Sequence, residues 1–163
     1  MAAMNPNPIS TSLSNCCIDE RWISGTYIVS GVFTIPFDRI GTTVLQDNLP
    51  ALFSTLRGKQ LRKWPRGISG YYAIPIYVGN GFSLDVVQWV QSRPKYRYAM
   101  WHEPVLYDLA GNQAFMNTKW GLYGLAFQKH LAERTFHSLA NIAQNANHSS
   151  FPTVNGQHIE FPT

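Results

Sequence analysis

Residues 69–92 read SGYYAIPIYVGNGFSLDVVQWVQS, and they hold the strand–turn–helix step on which the fold class turns. From Tyr71 to Val78 the run is apolar or aromatic throughout, as expected of a strand. Tyr72, Ile74, Ile76 and Val78 share one side of it, and Tyr71, Ala73, Pro75 and Tyr77 share the other. Pro75 has no amide hydrogen, which predicts an edge strand or a bulge. Gly79-Asn80-Gly81 then turns the chain into a helix over 83–92. Ser83 stands where a cap belongs, and Asp85 suits the positive end of the helix dipole. Glycines ahead of a helix can cradle an anion. Here Leu84 occupies the place of the third glycine of a dinucleotide loop, and the P-loop pattern is absent, so a plain turn is expected.

Towards the N-terminus, Leu45, Leu49, Leu52 and Leu56 recur at spacings of four, three and four, which predicts a helix. Pro50 confines its regular part to about 50–57, with Gly58 as a left-handed cap. Before it, residues 21–36 alternate as one long bent strand, or as a hairpin folded near Ser30-Gly31. Gly25 and Gly31 in this stretch mark bulges or close approaches. Residues 1–19 are rich in Asn, Ser and Pro and read as a tail.

Towards the C-terminus, KYRYAMWHE (95–103) alternates as a strand, with VLYD continuing beyond Pro104. Ala110-Gly111-Asn112 reads as a hairpin turn into a short strand at 113–116. An amphipathic helix is expected from about Trp120 to Gln144. Asn155-Gly156 suits a small hairpin in the last segment.

The order β-α-β-α-β-β-α predicts an α+β fold. It would have a mixed or mainly antiparallel sheet, helices packed on one face, and a long C-terminal helix. One domain would span 20–145, between the tail 1–19 and a C-terminal tail or small hairpin over 146–163.

Composition narrows the function. Hydrophobic residues make up 45% of the 163 and charged residues only 13%. With five Trp, eight Tyr and nine Phe, this composition excludes a disordered chain. It also leaves few charges to solvate the surface, which is compatible with a homodimer or an aromatic pocket. No apolar run is long enough to span a membrane. MAAMNPNPIS lacks the basic and apolar regions of a secretory signal. Cys16 and Cys17 are adjacent and unsuited to bridging each other, so a reducing compartment, the cytoplasm, is expected. No metal or cofactor is expected. His130 and His137 are two helical turns apart, too far to share one ion, and with Glu133 they read as a wet helix face.

Three function classes follow. The first is a non-catalytic binding module for a small apolar or cationic ligand, or for a protein partner. It would use an aromatic-rich sheet face that the core leaves open, with Tyr71, Tyr77, Trp101, Glu103, Tyr107 and His102 as candidate lining residues. The second is nucleic-acid or polyanion binding. The chain is +4 overall, yet between Arg57 and Arg97 eight basic residues face one acid, Asp85. Arg57, Lys59, Arg62, Lys63, Trp64, Arg66, Lys95 and Arg97 are its candidates. The third is a small enzyme in which His102, Glu103 or Asp108 acts as acid or base. His102 and Glu103 are consecutive in a strand and are expected to point to opposite faces.

Overall fold

The computed structural model describes residues 15–23, 25–36, 45, 48–59, 69–92, 95–97, 100–117 and 122–157. Its centre is β3 (Ser69–Gly79), with β2 (Thr26–Pro36) parallel on one side. On the other side, also parallel, lie β5 (Met100–His102) and β6 (Val105–Asp108). The sheet is extended by β1 (Asn15–Ile23) antiparallel to β2 and β4 (Lys95–Arg97) antiparallel to β5. At the far side β7 (Gln113–Phe115) runs antiparallel to β6, and β8 (Thr153–Val154) runs parallel to β7. The fold is α+β with a mixed sheet, as the element order predicts.

The chain passes from β2 to β3 through α1 (Leu49–Lys59), and from β3 towards β6 through α2 (Leu84–Gln91). Parallel neighbours need such crossovers, and successive crossovers of one hand stepping in one direction leave both helices on the same face. Leu52, Phe53 and Leu56 of α1 and Val86 and Val90 of α2 therefore pack together on Tyr27, Val29, Phe33, Ala73 and Tyr77. Each such buried side chain contributes about 1.5–3 kcal/mol. Pro50 sits in the first turn of α1, where no amide hydrogen is needed; the first helical bond runs from Leu52 N–H to Asn48 C=O at 3.1 Å.

The long helix α3 (Leu122–Asn145) covers the opposite face. Its Leu131, Leu139 and Ala143 pack on Ile28, Val32, Tyr72, Ile74, Ile76 and Tyr107. This corrects the expected placement of all helices on one face. Both faces of the central strands are occupied because those strands are parallel, and parallel strands are ordinarily buried on both sides.

Five local expectations are also corrected. Strand β3 is central rather than at an edge, and the break imposed by proline falls in its neighbour. The register pairing Ala73 with His102 also pairs Ile76 with Val105, so β5 and β6 are one strand interrupted at Glu103-Pro104, level with Pro75. Asn15 to Asp19, expected to be part of an N-terminal tail, belong to β1, while residues 1–14 lie outside the described residues. The chain reverses at Gly25, whose φ is +80°, and not at Ser30-Gly31. Segment 95–103 is a hairpin of two strands instead of one, and Gly58 lies within α1 rather than capping it.

The last segment is anchored. Asn155, with φ +50°, begins the turn that lets Val154 bridge Gln157. Its Nδ2 donates to Met116 C=O at 2.9 Å, and its Oδ1 accepts from Met116 N–H at 3.1 Å and from Gln91 Nε2 at 3.0 Å. Among the described residues no helix is long and apolar enough to cross a membrane.

Candidate functional site

The six candidate lining residues divide between the two faces of the sheet. Tyr77 is fully buried under α1 and α2. Tyr71 is half-buried on the same side, with the Arg57 guanidinium 5.4 Å above its ring. His102 is buried there too, its ring 6.3 Å from that of Trp89. Trp101, Glu103 and Tyr107 lie on the α3 side. Tyr107 is fully buried and donates from its hydroxyl to Asn112 Oδ1 at 2.7 Å. Among the described residues the exposed large apolar side chains are Trp22 and Leu84, on separate elements. No aromatic sheet face of the described residues lies open.

Only Trp101 and Glu103 are brought together, both against Tyr72. The Trp101 and Tyr72 rings stack at 6.4 Å, and the Tyr72 hydroxyl donates to Glu103 Oε2. Glu103 is 2% exposed and its Oε1 has no hydrogen-bond partner among the described residues. Burial pushes its carboxyl up to about 7, against the Tyr72 hydrogen bond, which acts in the opposite direction. Among the described residues His102 has no partner on either ring nitrogen, and burial pulls it down to about 4.

The three acid–base candidates do not converge. His102 and Glu103 point to opposite faces, as alternation predicts. Asp108 is five residues beyond Glu103, about 16 Å along an extended strand. Its carboxylate is the hub of the carboxyl-end turns: it accepts from Gly81 N–H at 3.1 Å and from Ala110 and Gly111 N–H at 3.3 Å. A carboxylate therefore already occupies the glycine turn before α2, which agrees with its reading as a plain turn.

The fold brings the two basic stretches together in part. Arg57 Nη2 lies 3.5 Å from Met100 Sδ, and Met100 is the ladder partner of Arg97. Arg57 and Lys59 are exposed. Lys95 and Arg97 lie in β4, while Arg62, Lys63, Trp64 and Arg66 fall outside the described residues. Glu133 and His137 are exposed, and no group of His, Cys, Asp and Glu among the described residues could hold a metal ion.

A site not anticipated from the sequence lies on the α3 side at the carboxyl edge of the sheet. It is a cleft of about 620 Å³. Its floor is Val32 and Thr34 of β2, Val78 of β3 and Leu109, the residue after β6. Its wall is the end of α3, with Ser138, Asn141, Ile142 and Asn145. Cys17 of β1, whose thiol is free, closes one side, with Pro36 and Ala146 also in the lining. Among the described lining residues none is charged. The cleft offers an apolar floor and a row of neutral hydroxyl and amide groups. Ser138, Asn141 and Asn145 at spacings of three and four could have signalled it, since that spacing puts polar groups on one helix side next to core residue Ile142.

No protein-family model matches the chain, and neither a curated protein nor a solved structure matches it.

Proposed function

We propose that the chain is a non-catalytic binding domain whose ligand is a small molecule seated in the carboxyl-edge cleft. The observation that carries this reading is the position of the cleft. Ligands of open sheets with parallel central strands bind outside the carboxyl ends of those strands. The cleft of about 620 Å³ lies there and has the size and mixed lining of a small-molecule site. The free Cys17 thiol supports a reducing compartment such as the cytoplasm.

A thermal-shift screen of small apolar and amide-bearing compounds tests this. Binders should stabilise the wild type, and Ile142→Trp, which fills the cleft, should abolish the shift. Stabilisation unchanged by Ile142→Trp would remove the cleft from the account. The meeting of Arg57 with the β4–β5 hairpin supports a second reading, polyanion or nucleic-acid binding. A single-stranded oligonucleotide at low salt is the arm of the same screen that addresses it. Salt-sensitive binding indifferent to Ile142→Trp would favour it.

A further inference from the structure

Three lining residues of the cleft continue inward to a polar trio. Cys17, Val32 and Ser138 line the cleft on β1, β2 and α3. Asp19, Ser30 and Arg134 are the next residues on the same sides of those elements, two along each strand and four along the helix. That places them about 6–7 Å deeper. The β1–β2 register agrees, pairing Cys17 with Val32 and Asp19 with Ser30.

Asp19 of this trio is shared between Arg134 and the neighbouring Arg21. Asp19 Oδ2 accepts from Arg21 Nε at 2.8 Å and lies 3.6 Å from Arg134 Nη1. One carboxylate oxygen thus serves two guanidiniums. The other polar contact of Arg134 is the hydroxyl of buried Ser30 at 3.4 Å. Both Arg134 contacts are long for a charged group, whose strong bonds are about 2.7–2.9 Å. The Arg134 side chain is only 22% exposed, and a guanidinium cannot lose its charge to relieve the burial.

Resting on the cleft as the ligand site, we infer that its ligand is a monocarboxylate with an apolar body, gripped through its carboxylate by Arg134. The planar fork of arginine matches a carboxylate with two parallel hydrogen bonds. Val32, Val78, Leu109 and Ile142 take the apolar body. Among the described lining residues none is an acid that would repel the anion.

Octanoate and octanamide have the same length and differ in charge, so calorimetric titration with both isolates the role of Arg134. Octanoate should bind the wild type about tenfold or more tightly than octanamide, the effect expected of a charge-assisted pair. Arg134→Gln should erase that preference by weakening octanoate far more than octanamide. Asp19→Asn withdraws the competing carboxylate and should strengthen octanoate binding, an independent check if Arg134→Gln folds poorly. Equal affinities in the wild type, or a preference that survives Arg134→Gln, would overturn the inference while the cleft keeps its ligand. Failure of both probes to bind would overturn it too. The cleft reading itself falls only if Ile142→Trp also leaves every binder in the screen unaffected.

Discussion

His102 and Glu103 are adjacent, and burial acts on them with opposite sign. Glu103 rises from 4.5 to about 7, so it favours the folded state most below pH 4.5, and that contribution is lost as pH climbs through 7. His102 falls from 6.5 to about 4, so its contribution is present above pH 6.5 and is lost as pH drops through 4. Between about pH 4.5 and 6.5 the two slopes oppose each other. Glu103→Gln keeps an acceptor for the Tyr72 hydroxyl and removes the charge. It should match the wild type near pH 4 and exceed it above pH 7 by on the order of 3 kcal/mol. Urea unfolding of both proteins at pH 4.5 and pH 8 measures this. Parallel pH profiles for the two proteins would show that Glu103 is not held neutral by the fold. The opposite orientation of this pair was legible from strand alternation. The closed surroundings of both were not, because alternation says which side a residue takes and nothing about what covers that side.

Elements were legible where period and punctuation agreed. The strand 69–78, the glycine turn, α2, the Ala110–Asn112 turn and the body of α3 all carry both signals. They failed where a regular pattern ran through a reversal. KYRYAMWHE alternates from end to end although Lys95–Arg97 pairs antiparallel with Met100–His102, so its period cannot show that the strand folds back. NCCIDERWI lacks a clean alternation, and β1 was hidden in a polar tail; its pairing with β2 comes from long-range contact. Gly31 is a close approach that was expected and is found. A Cβ there would stand 2.6 Å from Leu56 Cδ2 and 2.9 Å from Phe33 Cε2. Leu56 is fully buried and cannot swing aside freely. Gly31→Ala should therefore cost about 1–3 kcal/mol by overpacking the seam between α1 and β2. Thermal unfolding gives the value, and an unchanged midpoint would mean that the seam has slack.

At the scale of the molecule, the parallel run β2-β3-β6 determines both what is closed and what is open. It forces α1 and α2 onto one face, leaves the other for α3, and so covers the aromatic side chains of the sheet. At the carboxyl edge of these strands α3 ends above Val32, Thr34 and Val78 and leaves the cleft. The predicted α+β class is compatible with either arrangement of helices. The decisive fact, which strands are parallel, depends on pairings far apart in sequence. Backbone amide shift mapping with a ligand from the thermal screen tests the central claim most directly. Perturbations should cluster at Cys17, Thr34, Val78, Leu109 and Ser138 to Ala146. A cluster on Arg57, Lys59 and the β4–β5 hairpin instead would contradict it.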